Sequence, residues 1–528
     1  MSQGPPEPVL AVGEIQGNVL PGFNTPHQVL LGIRFDLERA AAARRWVASL
    51  LPLVATLADV NGFRVERRQA RRRGAAPPPA PVWVNVAFDT KGLAVLAPAV
   101  DGIRDVRFRQ GMGERSNLGD PRDRSHPGHP SRWVVGGTPE RTPEALLILG
   151  CEDLGRLRAQ VAGVREEAEA LGLTVDYQQE GHGLEGEIEH FGFRDGISSS
   201  GARGRLSDAE DDHLTRRTID PSDERALRFG RPGQPLVWPG QFVFGYPRQR
   251  ADDPCEPGPV SRGGHEWMDN GSFLVFRRLG QDVAAFRAFV AREAARLREG
   301  GLDTMTPERL AALLVGRWPK GTALIRSPQG DDADPMGDRF TVNHFGFAGP
   351  AGPVVVHDGP GRRTVNGAPG DRFGRICPSF AHVRKVNPRD LPTDKGGPDR
   401  TLTFAVQRRG IPWGRPYPST AAAQARDDGD RGLLFLCYVT SIKDQFEVLN
   451  SDWMNRANGP EGDAGHDLLV GQGPGTTRER SAQLRADEAG GTPTRIATLS
   501  EWVTPTGGGY FFAPSISALR QFAGGAEG

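Results

Sequence analysis

Four short apolar runs set the frame for this 528-residue chain: Val82 to Phe88, Ser272 to Phe276, Leu402 to Val406 and Leu433 to Tyr438. Their apolar alternation and their β-branched and aromatic content predict strands, and the continuous runs among them predict burial on both faces. Helical patterns lie between them. Ala41 to Leu57 is rich in Ala, Leu and Arg, and Gln281 to Arg298 carries Val283, Phe286, Val290 and Leu297 on one stripe. A third helix opens at Thr306-Pro307-Glu308, with Thr as N-cap and Pro in the first turn. Strands interleaved with helices read as α+β or α/β. Gly and Pro together make 113 residues, 21% of the chain, so the connections are long and irregular. Arg71 to Pro81, Ser207 to Arg228 and Gly349 to Gly374 read as exposed loops or insertions.

Several classes are excluded. Lys+Arg and Asp+Glu both number 65, which argues against a nucleic-acid or polybasic membrane surface. Only 5 of the 65 cations are Lys, a skew with little functional weight. No apolar stretch approaches the roughly 18 residues of a membrane helix, and Met1 to Pro6 does not open a secretory signal. Cys151, Cys255, Cys377 and Cys437 are far apart, which fits a reducing, cytoplasmic setting. No phosphate loop, HExxH helix or nucleophile elbow is present. His126 and His129 sit in a proline-rich loop without other ligand types nearby.

Three constellations could carry chemistry. Phe191-Gly192-Phe193-Arg194-Asp195-Gly196-Ile197 brackets a carboxylate with glycines, which let backbone approach a flat ligand. From the spacing alone, an ordinary Asp-Gly turn is the better account of it. Cys377 to Arg389 sets one His among cations, the combination a haem needs for iron and propionates, and also the composition of a basic surface loop. Gln407-Arg408-Arg409-Gly410 follows an apolar run, where an Arg can face a cavity or close a salt bridge. Glu189-His190-Phe191-Gly192-Phe193 nearly repeats as Asn343-His344-Phe345-Gly346-Phe347.

In this order the segments resemble the dye-decolourising peroxidases. The family's GxxDG motif matches Gly192 to Gly196, its CPxxAHxRKxNPR segment matches Cys377 to Arg389, and its distal Arg matches Arg408. Ile15 to Leu20, Phe242 to Pro247, Gly316 to Pro319 and Gly509 to Pro514 extend the resemblance over nearly the whole chain. It implies an α+β fold of two ferredoxin-like domains, antiparallel sheets with flanking helices, with boundaries 1–228 and 229–528. One heme b per chain would be held mainly by the second domain.

The resemblance implies a haem peroxidase that uses hydrogen peroxide to oxidise dyes and phenols by way of a ferryl intermediate. His382 would ligate iron, with Asp467 as its carboxylate partner and Arg384 at a propionate. Asp195 would move the peroxide proton and Arg408 would stabilise developing charge, with Gly192 and Gly196 beside the cofactor and Leu433 and Phe435 walling the cavity. The partners implied are peroxide and an organic reductant, without nucleic acid or membrane; a homo-oligomer is allowed. The alternative class is a haem carrier or iron-releasing (deferrochelatase-like) protein, which needs neither Asp195 nor Arg408. Ile197-Ser198-Ser199 departs from the Gln-Pro pair that many relatives carry after this Ser, and the Gly349 to Gly374 insertion bears on access to the haem.

Overall fold

A computed structural model describes residues 4–524, apart from 36–37, 39, 115–117, 333–336, 360, 428, 474 and 486–491. Both extreme termini, including the short Gly-rich tail, lie outside it. One sheet, antiparallel except for the short parallel strand Val135–Gly136, runs through the molecule. In the first half β1 (His27–Arg34), β2 (Trp83–Phe88), β3 (Ala145–Cys151) and β4 (Thr174–His182) lie in the order β2-β3-β1-β4. In the second, β5 (Ser272–Gln281), β6 (Gln407–Arg408), β7 (Ile411–Gly414), β8 (Arg431–Val439) and β9 (Val503–Ala513) follow the same scheme. There β6 and β7 both pair with β8, and β8 with β5, which pairs with β9. Both orders are the ferredoxin-like arrangement, and the pair Phe512–Phe88 joins the halves.

The expected strands at 82–88, 272–276 and 433–438 are present, extended at β5 and β8. Leu402 to Val406 is not a strand. Pro398–Phe404 is instead a 3-10 helix, entered through Gly397 with Pro398 in its first turn. A five-residue apolar run fits either state, and the Pro decides.

The helix expected over 41–57 is two. α1 (Ala40–Leu50) ends, and α2 (Leu57–Arg72) starts afresh on a capping box in which Thr56 and Asp59 exchange backbone and side-chain hydrogen bonds. α3 (Leu154–Ala170) covers the first half of the sheet. α4 (Val283–Glu299) buries the predicted stripe, and α5 (Pro307–Val315) starts at Thr306, whose hydroxyl accepts the Arg309 N–H at 3.0 Å. The 349–374 insertion is not all loop, since Val354–Asp358 and Gly361–Val365 form a hairpin.

One apolar cluster gathers what surrounds the site. It contains Phe191 and Phe193, α4 and α5, Phe345 and Phe347, Cys377 to Ala381, and Leu468 with Leu469. Both copies of the His-Phe-Gly-Phe pattern thus pack into one core. α5 ends at Gly316, where φ is +95° and an added Cβ would lie 2.2 Å from Val383. Only Gly permits both that backbone and that approach to the segment carrying His382.

Candidate active site

His382 opens a one-turn helix, α6 (His382–Lys385). Its Nδ1 lies 2.7 Å from Asp467 Oδ2. Asp467 is fully buried, and its other oxygen accepts the N–H groups of Leu469 and Val470 at 2.9 and 3.0 Å. Burial opposes ionisation of Asp467, yet His382, the Val470 N–H and Lys385 outweigh it and hold the carboxyl below its ordinary value. A carboxylate at that position makes Nδ1 the donor and leaves Nε2 as a lone-pair acceptor for a metal. Lys385 beneath is buried, donates to the carbonyls of Arg456 and Gly459, and is pushed down to about 8 by burial.

Arg384 does not meet the expectation that it contacts a haem carboxylate. It is fully buried and all five guanidinium N–H groups are spent. Nε and Nη2 donate to Glu461 at 2.8 Å each, and the remainder to the carbonyls of Asp371, Cys377 and Arg372 at 2.7, 3.0 and 3.1 Å. The reason is geometric: two positions along a helix separate side chains by about 200°, so Arg384 points away from the face His382 presents.

Asp195 sits on the loop after β4. The loop is tied from both sides, with Asp195 N–H on Glu187 O at 3.1 Å and Arg194 N–H on Pro319 O at 2.9 Å. Gly192 and Gly196 adopt φ of +99° and +71°, and a Cβ on either would meet no atom within 4 Å. Arg408 Nη1 lies 3.7 Å from Asp195 Oδ1, both side chains 39% exposed, and Nη2 donates to Ser198 O at 2.5 Å. Arg408 pairs with Cys437 on β8, so it shares a sheet face with Leu433 and Phe435, both half-buried. Arg409 turns to the other side and donates to Asn18 O and Val19 O at 2.7 and 2.8 Å.

Three further residues belong here. The Glu189 carboxylate accepts the N–H groups of Phe191 and Phe193 at 2.9 and 3.0 Å, and Gln281 Nε2, at the end of β5, at 2.7 Å. Burial, with Asp195 nearby, pushes its carboxyl up to about 7 against those donors.

Arg317 and Arg389 lie over the same Phe345 ring, 4.8 and 4.2 Å from its centroid. Burial first, then their mutual repulsion and that of Arg408, pushes Arg317 down to about 9. Arg389 is pushed down to about 10, again chiefly by burial. Neither has a carboxylate within ion-pair distance among the described residues. Arg317 donates to Gly321 O, Val342 O and Asn343 Oδ1 at 2.8, 2.9 and 2.5 Å, and Asn343 Nδ2 bonds Ile197 O at 2.5 Å. The guanidinium thus holds the Asp195 loop from the far side. Arg389 closed the quoted His segment, and Arg317 stood in the quoted Gly-Arg-Trp-Pro stretch, but no spacing rule marks either as facing the site.

These observations fit a haem. An imidazole with Nδ1 fixed leaves one metal donor. Open space stands over two glycines, and two guanidiniums near Arg408, the buried Arg317 and the half-buried Arg389, lack carboxylate partners among the described residues, matching the two acidic groups the cofactor carries.

Comparison with known proteins points the same way. Residues 14–168 match the family model described as the DyP dimeric alpha+beta barrel domain. A dye-decolorizing peroxidase of Mycena epipterygia is 28% identical over 536 residues, 97% of this chain and 87% of the relative. The multifunctional dye peroxidase of an Amycolatopsis species is 28% identical over 535 residues, covering 98% and 96%. The solved structure of a dye-decolorizing peroxidase with 2,6-dimethoxyphenol superposes with a TM-score of 0.70 at 25% identity, over 98% of this chain and 100% of that one.

Proposed function

The chain belongs to the dye-decolourising peroxidase family, and from that premise we propose how its own residues carry out peroxidase chemistry on phenols and dyes. Hydrogen peroxide is the oxidant and an organic molecule the electron donor. The observation that carries the reading is the joint presence of a His382–Asp467 pair and an Asp195–Arg408 pair. The first holds a metal, while the second serves a reaction that binding alone does not require. A haem carrier has no use for it.

Haem, when bound, supplies the iron at which peroxide is reduced and through which electrons leave the organic substrate. His382 Nε2 would hold that iron, with Asp467 keeping the proton on Nδ1 and raising the donor strength of the ring. We assign the haem carboxylates to Arg317 and Arg389, on the strength of their unpaired charge. The Asp195 carboxylate takes the proton from one peroxide oxygen and delivers it to the other. The Arg408 guanidinium stabilises negative charge on the departing oxygen. Gly192 and Gly196 keep the loop backbone flat beside the cofactor, and Leu433 and Phe435 shape the side on which Arg408 stands. Each peroxide takes two electrons and two protons and leaves as two waters, so two one-electron donors are consumed.

We read the chain as two functional halves, 1–228 carrying the Asp195 loop and 229–528 carrying His382, Arg408 and Asp467, with one heme b per chain. The split is supported by the two ferredoxin-like strand orders. Among the described residues no helix is long and apolar enough to cross a membrane; four free thiols support a cytoplasmic setting.

The test is oxidation of 2,6-dimethoxyphenol by the haem-loaded protein. Peroxide-dependent turnover, lost in Arg408→Ala with the Soret band retained, is expected. Haem binding without turnover in the wild type would leave the carrier reading.

A further inference from the structure

A cavity of about 600 Å³ opens on the π-helix Ile442–Met454, away from the site just described: none of His382, Asp467, Asp195 or Arg408 lines it. Its size suits a small organic molecule. Two of its ion pairs are already closed, Arg107 Nε to Glu447 Oε2 at 3.2 Å and Lys395 Nζ to Asp452 Oδ2 at 2.5 Å. Three cations are not so matched. Among the described residues Arg248 donates through Nε alone, to the neutral Gln241 Oε1 at 3.0 Å. Arg400 and Lys443 make no side-chain hydrogen bond or ion pair among the described residues. Asp444 is the remaining carboxylate of the walls, and it accepts from Ser441 Oγ at 3.0 Å.

The cavity therefore carries a surplus of positive charge in a chain whose net charge is zero. Burial pushes the Arg248 guanidinium below its ordinary value, against the pull of Asp444 and Asp105, whereas Arg400 and Lys443 stand exposed without a carboxylate partner among the described residues. Between the cations the lining is mixed, with Phe404, Val448 and Pro259 beside the polar Gln249, Thr403 and Ser451. The Phe404 ring is braced by Trp453, 5.2 Å away edge-on.

The π-helix is a second pointer. Such geometry is rare and concentrates at functional positions, and here it runs for 13 residues. It also reaches the metal site, since the Met454 carbonyl accepts the Asp467 N–H at 3.1 Å. One element thus forms the cavity wall and holds the partner of His382.

We propose that this cavity binds a small aromatic anion, a carboxylate or sulfonate. Arg248, Arg400 and Lys443 take the charge, and Phe404 with Val448 takes the ring. The inference goes beyond the peroxidase reading, and its test reads binding without peroxide.

Isothermal titration of the haem-loaded full chain would use three probes: 2-naphthalenesulfonate, the uncharged 2-naphthalenemethanol and inorganic phosphate. The sulfonate is expected to bind, with the alcohol and phosphate each weaker by about tenfold or more. Arg400→Glu and Lys443→Glu alter exposed positions and should each weaken the sulfonate about tenfold, with the Soret spectrum unchanged. Asp195→Asn should leave its affinity as in the wild type. The proposal is overturned if the sulfonate does not bind, if the alcohol or phosphate binds as well, if both charge reversals leave affinity intact, or if Asp195→Asn abolishes binding.

Discussion

Glu189 shows how much of the site depends on a side chain two turns of loop away from the chemistry. Its carboxylate organises the N–H groups of Phe191 and Phe193, and those fix the backbone leading into Asp195. Gln in its place presents an NH₂ group to at least one N–H donor, so the loop should loosen. Misplacement of this order costs up to about 10²-fold; Glu189→Gln is expected to lower the peroxide reaction rate about 10- to 100-fold at unchanged haem content. The same residue marks stability. Its carboxyl is raised in the fold from 4.5 to about 7. Between those values the folded chain holds a proton that the unfolded chain has lost, so stability falls as pH rises through that window. Thermal unfolding followed from pH 5 to 7.5 should show a shallower fall in Glu189→Gln than in the wild type. Arg384 is the opposite case, a residue of the signature segment whose work is structural. Arg384→Ala leaves Glu461 and several carbonyls unpaired, and about 3–5 kcal/mol of stability should be lost in denaturant titrations. Arg317→Ala and Arg389→Ala should instead weaken haem affinity with smaller stability losses.

At the scale of elements, the packing of the α5 C-terminus against α6 decides whether His382 is presented at all. Gly316→Ala brings a methyl to 2.2 Å from Val383 in a backbone with φ of +95°. It is expected to reduce haem loading at the same haem concentration, with the fold recognisable by circular dichroism, whereas Gly163→Ala in α3, where a Cβ meets nothing within 4 Å, should leave loading unchanged. Elements also show what could be read from residues alone. The strands at 82–88, 272–276 and 433–438 were legible because their runs are rich in aromatic or β-branched residues and carry no Pro. The strand expected at 402–406 is absent, because Pro398 and Gly397 start a 3-10 turn that the apolar run then completes. The break at Leu50 was hidden for a related reason: Thr56 and Asp59 form a cap whose effect depends on side-chain geometry, not on apolar period. His382, Asp195 and Arg408 stood in recognisable motifs. Arg317 and Arg389 entered the site through tertiary placement over Phe345, which no local pattern encodes.

In the whole molecule, two halves of one sheet, each with ferredoxin-like order, join at Phe88 and Phe512, and a buried bidentate pair, Arg277 to Asp120 at 2.6 and 3.1 Å, crosses the same junction. The site draws on both halves, Asp195 from one and His382, Arg408 and Asp467 from the other. A ligand held by such a site stabilises the folded chain by mass action, about 2.7 kcal/mol at a free concentration of 100 times Kd. Removing haem should therefore lower the melting temperature of the wild type, and adding it to His382→Ala should restore far less. The account stands most directly on the peroxide step. Haem-loaded wild type and Asp195→Asn would be mixed with hydrogen peroxide in a stopped-flow spectrometer and the Soret change timed. A slowing of about 10²- to 10⁴-fold in Asp195→Asn, with the resting spectrum and haem content unchanged, is predicted; reaction of the variant at the wild-type rate would contradict it.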